Sequence, residues 1–147
     1  MVYLVDTNVL LRLANRNHPL HPTMRAAVRK LRAAGHSLMA ASQQNFVEFW
    51  NVATRPAAQN GMGWTLAEAD RLLRLLERLF LRFSDAPAVY TEWRLVVAFG
   101  VSGAKVHDGR LVATMRVHAA THILTLNTAD FARYAPLGIV AIDPQAV

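Results

Sequence analysis

The chain has 147 residues, of which 53% are apolar, and carries a formal net charge of +6. This length and composition predict one folded domain over residues 1–147 and exclude a disordered chain, while the lack of cysteine excludes disulfides and thiolate metal sites. The basic charge favours a polyanionic partner, although an acidic protein partner or an uninvolved basic surface would be consistent with the same charge.

Short apolar segments alternate with helical patterns along the chain. Strands are predicted at residues 2–5, 37–41, 122–126 and 138–142, with an ambiguous further strand at 81–84. Apolar residues at three- and four-residue spacing predict helices between these strands. Gly35 is predicted to end the helix before the second strand, and Ser42 to cap the helix after it. A capping box at 65–68 begins a further helix. Another helix is predicted to begin near Asp85 and end at Gly100, and the last to run from about 107 to 119.

This alternation predicts an α/β fold, a single three-layer α/β/α domain with a mainly parallel sheet of four or five strands. The apolar runs are too short to cross a membrane, and Asp6 and Arg12 interrupt the amino-terminal segment before a secretory core could form. We therefore expect a soluble, cytoplasmic protein.

Four of the ten acidic residues lack an evident role in a helix cap, a local ion pair or a solvated surface: Asp6, Glu48, Asp108 and Asp130. Asp6 directly follows the first predicted strand and precedes Thr7 and Asn8. A carboxylate at the carboxyl end of a buried strand lies where open α/β sheets form their ligand crevice. The wide separation of the four acids along the chain suits a site that is assembled by folding.

Asp108 lies on the apolar stripe of its predicted helix, together with Leu111, Val112, Met115 and Ala119. A bare carboxylate on this core-facing side is costly unless a positive charge compensates it, and a divalent cation is the strongest candidate. The alternative is that Asp108, in the first turn, only caps the helix or interacts with its dipole.

Glu48 and Asp130 are each compatible with a structural role. Glu48 lies on a polar ridge opposite the aromatic stripe of its helix, where it could contact only Asn51, Arg55 or solvent. Because its helix follows the second strand, however, the first turns rise from the same sheet edge as Asp6. Asp130 follows the strand at 122–126, where it could form an Asx turn, cap a helix or join the site.

The oxygen ligands offered by these acids suit Mg²⁺ or Mn²⁺ and argue against zinc. Clustered carboxylates repel one another, which favours cation binding, and a bound cation can activate water and neutralise charge on a phosphoryl group. Together with the basic charge, this suggests phosphodiester hydrolysis. The alternative is a phosphotransfer enzyme or receiver, but Asn8 stands where a haloacid-dehalogenase-type phosphatase would have its second aspartate.

Four short motifs occur in order along the chain: VDTN at 5–8, QNFVEFWN at 44–51, HDGRLVA at 107–113 and TLNTADF at 125–131. Each is weak alone, but together they resemble the PIN-domain ribonucleases, above all the VapC-type toxins of type II toxin–antitoxin systems. The resemblance covers essentially the whole chain. It implies a PIN-like fold and a Mg²⁺-dependent endoribonuclease, with Mn²⁺ as a possible substitute, in which a metal-activated water attacks the RNA phosphodiester bond in line.

The resemblance also implies roles for individual residues. Asp6 and Asp108 correspond to the acids that hold the metal most directly, and Glu48 to the acid that ligates metal or orients the attacking water. Thr7 matches the small hydroxyl residue that positions water or phosphate.

Two residues of this chain can be matched to the fourth acidic position of the family's site. Many relatives have a carboxylate directly after the fourth strand, where this chain has Asn127, whereas others have the Asn-x-x-Asp-Phe form found here. The fourth catalytic role is therefore assigned to Asp130, with Asn127 as a neighbouring polar contact.

The implied partners are an RNA substrate, a cognate antitoxin and a second copy of the chain in a homodimer, without a membrane. Trp64, Trp93 and a leucine-rich helix predicted at residues 66–83 could form the dimer face or an antitoxin groove, or could simply be core. Candidate phosphate contacts are Arg12, Arg16, Arg25, Arg29 and Arg55. The alternative function is a catalytically inactive PIN-like module that binds RNA or protein.

Overall fold

A parallel five-stranded sheet forms the centre of the computed structural model, which describes residues 1–147 apart from the side chain of Ser42. The strands are β1 (Val2–Val5), β2 (Ser37–Ala41), β3 (Leu81–Phe83), β4 (His122–Leu124) and β5 (Val140–Ile142). Their spatial order is β3-β2-β1-β4-β5, and every neighbouring pair is parallel. The predicted α/β fold with a parallel sheet is confirmed.

Seven helices cover the sheet in the described part of the chain. They are α1 (Thr7–Ala14), α2 (His21–Ala33), α3 (Val47–Thr54), α4 (Leu66–Leu79), α5 (Ala88–Val96), α6 (Lys105–Val117) and α7 (Thr128–Phe131). Among these described helices, we find no segment with both the length and the apolar character that crossing a bilayer requires.

The core is divided between the two faces of the sheet, because successive strand residues point to opposite sides. Tyr3 and Val5 of β1 pack into a cluster with residues of α1 to α4. Leu4, between them, packs into a second cluster that contains Leu111 and Met115 of α6. The sheet is therefore the middle layer of an α/β/α arrangement, as predicted.

Two predicted strand boundaries are wrong. β4 ends at Leu124 instead of residue 126, since the next residue, Thr125, turns its side chain toward Asp6 while its N–H still donates to the Ile142 carbonyl. β5 begins at Val140 instead of residue 138, because Gly138 has a φ of 79° and closes the preceding 3₁₀ turn. The ambiguous segment at 81–84 does contain a strand, β3.

The helix predictions differ from the structure mainly at the ends. The last long helix begins at Lys105 instead of near 107 and ends at Val117, so that Ala119, with a φ of 54°, lies outside it. Thr65 caps α4 as predicted, since its side chain accepts from the N–H of Glu68. The predicted cap at Ser42 concerns a side chain outside the described part of the structure.

The strand order reverses between β1 and β4. The chain runs outward from β1 through β2 to β3, then returns to place β4 on the other side of β1. In open α/β sheets the connections on either side of such a reversal leave a crevice at the carboxyl ends of the two strands. Asp6 follows β1 and Thr125 follows β4, so both lie at this crevice.

Candidate active site

Asp6 is held in place by three hydrogen bonds at the mouth of the crevice. Its Oδ1 accepts from the Thr7 N–H at 2.7 Å, which also caps α1. Its Oδ2 accepts from the Thr125 hydroxyl at 2.7 Å and from the Asn8 amide at 3.1 Å. Asp6 is only 9% exposed. The carboxylate is therefore fixed in position before any ligand binds.

The pKa of Asp6 is raised to about 6, chiefly by burial. The negative charges of Glu48 and Asp108 raise this pKa further, which places all three acids within one electrostatic neighbourhood. The hydrogen bonds from Thr125 and Thr7 oppose the shift because they favour the charged carboxylate. Asp6 therefore keeps its proton up to a higher pH than an ordinary aspartate, and a positive charge bound beside it would lower this pKa again.

Glu48 and Asp6 both accept hydrogen bonds from Thr7, Asp6 from its backbone N–H and Glu48 from its hydroxyl. The Thr7 hydroxyl donates to Glu48 Oε2 at 2.8 Å, and the Gln44 amide donates to Glu48 Oε1 at 3.1 Å. The alternative in which Glu48 only contacts Asn51, Arg55 or solvent is wrong, because α3 begins one residue before Glu48 and directs the carboxylate into the crevice.

A π-helical turn at Ser42–Phe46 connects β2 to α3 and sets this direction. Asn45, within it, is fully buried; its Oδ1 accepts from the Ala41 N–H at 2.9 Å and its amide donates to the Thr7 hydroxyl at 3.1 Å. The Gln44 amide also donates to the His107 carbonyl at 2.6 Å. Such wide turns are frequent at functional sites, and this one joins β2, α1 and α6.

Asp108 and Asp130 form the opposite side of the site and share a lysine. The Lys105 ammonium lies 2.5 Å from Asp130 Oδ1 and 3.9 Å from Asp108 Oδ2. Partial burial raises the pKa of Asp108; Lys105 opposes this shift, whereas the charges of Asp130 and Glu48 add to it. The alternative in which Asp130 only caps a helix is wrong, because Asn127 occupies the cap position of α7 and the Asp130 carboxylate pairs with Lys105.

Asp108 lies at the edge of the core. Its side chain is 29% exposed, whereas Leu111, Val112 and Met115, further along α6, are buried. The predicted stripe therefore holds as far as Met115 and is wrong at Ala119, which lies beyond the helix.

Asn127 contacts the site residues through its backbone N–H and carbonyl groups. Its N–H donates to the Thr125 hydroxyl at 3.0 Å, and its carbonyl accepts from the Asp130 N–H at 3.1 Å. The residue is exposed, and its side chain does not cap α7. Asn127 thus connects Thr125, which holds Asp6, to the turn that carries Asp130.

The donors fit a hard divalent cation, although they do not form a complete cage. In the described part of the chain, no three acidic or histidine side chains are close enough to surround one ion. The buried Oε1 of Gln44, which adjoins Glu48, has no hydrogen-bond partner among the described residues. Repelling carboxylates, a raised aspartate pKa and an unpaired amide oxygen are together the donor chemistry that Mg²⁺ or Mn²⁺ prefers.

An open cavity of about 670 Å³ adjoins the acids on the side of α5 and α6. Gln44 and His107 form the wall next to the acids, and Arg110 supplies a positive charge. On the far wall, the rings of Tyr90 and Trp93 are stacked with centroids 6.0 Å apart. The cavity therefore offers aromatic faces and a cation beside the carboxylates.

Two kinds of site residue were not predicted from the sequence: the uncharged residues that hold the acids in position, and the lysine that lies between two of the acids. They are Asn8, Gln44, Asn45, Thr125 and Lys105. Most belong to the four motifs, so their types were visible but their roles were not. Thr125 directly follows β4 as Asp6 follows β1, but the strand predicted at 122–126 concealed this position.

Comparison with known proteins identifies the family of the chain. The PIN domain family model matches residues 3–137. Ribonuclease VapC24 of Mycobacterium tuberculosis is 29% identical over 133 residues, which cover 86% of this chain and 87% of that protein.

Solved structures share the fold at low sequence identity. VapBC2 from Rickettsia felis, bound to a DNA fragment from their promoter, matches with a TM-score of 0.70 and 12% identity, over 97% of this chain and 98% of that one. VapC20 from Mycobacterium tuberculosis, a sarcin-ricin loop cleaving toxin, matches with a TM-score of 0.59 and 17% identity, over 94% and 96%. The resemblance predicted from the four motifs is confirmed. The chain belongs to the PIN domain family.

Proposed function

We propose that this chain is an endoribonuclease that hydrolyses RNA phosphodiester bonds, using Mg²⁺ or Mn²⁺ held by Asp6, Glu48 and Asp108. The observation that carries the proposal is that these acids, distant in sequence, lie near one another where the strand order reverses, close enough for the charges of Glu48 and Asp108 to raise the pKa of Asp6. The name of the similar mycobacterial protein, a ribonuclease, supports the same activity.

The chain's own residues have separable roles in this reaction. Asp6 provides a fixed oxygen donor, because Thr7, Asn8 and Thr125 restrict its carboxylate. Glu48, oriented by Thr7 and Gln44, is placed to ligate the ion or to orient the attacking water. A bound divalent cation would lower the pKa of a water molecule and neutralise charge on the phosphodiester group.

RNA would approach through the cavity beside the acids. Stacking on aromatic side chains and contact with arginine are the usual means of binding unpaired nucleotides. Tyr90, Trp93 and Arg110 provide both chemistries next to His107 and Gln44. Among the arginines singled out from the sequence, Arg12 adjoins the site, since its guanidinium donates to the Asn8 carbonyl at 3.1 Å.

We further propose that the chain is the toxin of a toxin–antitoxin pair, acting in the cytoplasm as a homodimer and restrained by a cognate antitoxin. Support comes from the structural relatives, which include VapBC1 from Haemophilus influenzae and a protein described as a toxin. Co-expression with the product of a neighbouring short reading frame should remove growth inhibition if this is correct.

Cleavage of a defined RNA pool tests the nuclease directly. Wild-type protein should cleave with Mg²⁺ or Mn²⁺ and stop in EDTA, leaving 5′-phosphate and 3′-hydroxyl ends. Asp6→Asn and Asp108→Asn should lower the rate by at least about a hundredfold, because each removes a charged ligand. Asp70→Asn is the matched control, since Asp70 only pairs with Arg74 on the surface of α4.

Cleavage that persists in EDTA and in both variants would contradict the metal-dependent mechanism. RNA binding by the wild-type protein without cleavage under any divalent cation would instead favour the inactive binding module.

A further inference from the structure

Lys105 is unusual in this chain. Of the 16 lysines and arginines, only Lys30 and Lys105 are lysines. An ammonium group is a compact, strongly hydrated point charge, whereas a guanidinium is a flat fork of donors. The chain therefore uses the basic side chain that most resembles a small metal ion at the position where two of its acids meet.

The four acids of the site form two pairs, and a different kind of group connects the members of each pair. Asp6 and Glu48 are linked through neutral groups of Thr7, whose backbone N–H donates to Asp6 and whose hydroxyl donates to Glu48. Asp108 and Asp130 are linked through the positive Lys105 ammonium, at 3.9 and 2.5 Å from their nearest oxygens. One pair of carboxylates thus has a cation built into the chain, and the other does not.

The position of Lys105 makes this link a property of the fold. Lys105 is the first residue of α6 and lies one turn before Asp108, so the helix directs both side chains to the same surface. Asp130 reaches that surface from α7, which packs against α6. The Lys105 side chain is 44% exposed, so it meets the carboxylates without being buried.

We propose that Lys105 serves as a built-in second cation, so that this chain binds a single divalent ion in a site that would otherwise take two. The inference rests on the proposed function, since it presupposes that the pair formed by Asp6 and Glu48 takes an ion together with Asp108. Lys105 is a positioning residue in this scheme: it holds Asp108 toward the bound ion and neutralises Asp130.

Removal of the ammonium should expose a second cation site. In Lys105→Met, the Asp108 and Asp130 carboxylates should keep their positions but lose the positive charge between them. Because the two carboxylates then repel each other, they favour the binding of a divalent ion. Lys105→Arg keeps the charge and should behave like the wild type. The double variant Lys105→Met with Asp130→Asn removes one of the two carboxylates and should lose the second ion again.

The experiment is Mn²⁺ binding measured by titration calorimetry and by electron paramagnetic resonance, without RNA, at fixed pH and ionic strength. We expect one ion per chain for the wild type, for Lys105→Arg and for the double variant, and two for Lys105→Met. Lys30→Met is the matched control, because Lys30 is exposed on α2, and it should bind one ion. Circular dichroism of each variant verifies that it is folded.

Two ions bound by the wild type, or one bound by folded Lys105→Met, would overturn the inference about Lys105 and leave the proposed nuclease intact. If neither the wild type nor Lys105→Met binds Mn²⁺, both the inference and the proposed cation are wrong.

Discussion

Burial and hydrogen bonding have opposite effects on the pKa of Asp6, and the effect of burial is the larger. Asp6 is nearly buried, which raises its pKa to about 6, and yet both of its oxygens accept hydrogen bonds that favour the charged form. A carboxylate in this state is held rigidly but remains electrostatically unsatisfied. The binding of a divalent ion would relieve that cost, which explains why an acid is placed here.

Replacement of Asp6 by asparagine should stabilise the protein in EDTA at pH 7.5. The folded-state pKa of about 6 lies above the ordinary 3.8, so the folded state holds the proton more tightly and stability falls as pH rises from about 4 to about 6. The full effect is about 3 kcal/mol, but an asparagine whose oxygen accepts from Thr7 turns its NH₂ group, which is a donor, toward Asn8 and Thr125, so we expect a gain of about 1 to 2 kcal/mol.

Urea unfolding at pH 7.5 and at pH 4 measures this effect. The gain should vanish at the lower pH, where Asp6 is protonated in the folded protein. Asp70→Asn should change stability little at either pH, because Asp70 is exposed. An Asp6→Asn protein that is less stable than the wild type at pH 7.5 would contradict the assigned burial cost.

The Thr125 hydroxyl should lower the pKa of Asp6 and therefore the pH above which the site binds a cation. Thr125→Val removes the 2.7 Å hydrogen bond to Asp6 Oδ2 with little change of shape, so the pKa of Asp6 should rise by about one unit. The pH midpoint of Mn²⁺ affinity should rise with it. Thr114→Val is the control, since that hydroxyl donates to the Arg110 carbonyl within α6. Equal midpoints for both variants would refute this role.

At the scale of elements, the π-helical turn between β2 and α3 determines where Glu48 points. The turn holds Gln44 and Asn45, which contact α6 and Thr7 respectively, before α3 begins. A regular helix from the end of β2 would have a different phase, so both amides and Glu48 would face other neighbours. The turn therefore connects the acid of α3 to the acid of α6.

Asn45→Ala should loosen this connection. The substitution leaves the buried Ala41 N–H without a partner and removes the donor to Thr7. We expect a loss of about 2 to 4 kcal/mol in the free energy of unfolding, because two buried hydrogen bonds disappear. Asn51→Ala, on the exposed side of α3, should cost less than about 1 kcal/mol. Similar losses in the two variants would show that the turn has no special structural role.

Arg110 should matter for RNA binding and little for the cation. It lines the cavity between α5 and α6, so Arg110→Ala should weaken binding of a short unpaired RNA in EDTA and reduce the salt slope by about one phosphate contact. Fluorescence anisotropy at several salt concentrations gives both quantities. Arg71→Ala is the control, since Arg71 pairs with Glu68 on exposed α4. An unchanged salt slope for Arg110→Ala would place the RNA elsewhere.

At the scale of the whole molecule, the features that could be predicted from the sequence are those that depend on short-range patterns of apolar and polar residues. Strand β1 with Asp6 directly after it, and the apolar stripe that carries Asp108, follow from short-range periodicity. Strand β3 was ambiguous because three residues are too few to show alternation. The end of α6 was misplaced because the positive φ of Ala119 stops the helix although the apolar pattern continues, and the end of β4 was misplaced because Leu126 continues the apolar segment beyond Leu124.

The interior of the site was harder to predict because its contacts join distant segments. Thr125 reaches Asp6 across 119 positions, and Asn45 reaches Thr7 across 38. The pairing of Lys105 with Asp130 depends on how α7 packs against α6, which no local pattern encodes. Carboxylates could be selected by their chemistry alone, whereas the neutral residues that hold them became evident only in three dimensions.

Anomalous diffraction from crystals of the wild-type protein grown with Mn²⁺ tests the central claim most directly. The account predicts a peak at the carboxyl ends of β1 and β4, within coordination distance of carboxylate oxygens from Asp6, Asp108 and Glu48. A strong peak elsewhere on the molecule, with none between these three side chains, would contradict it.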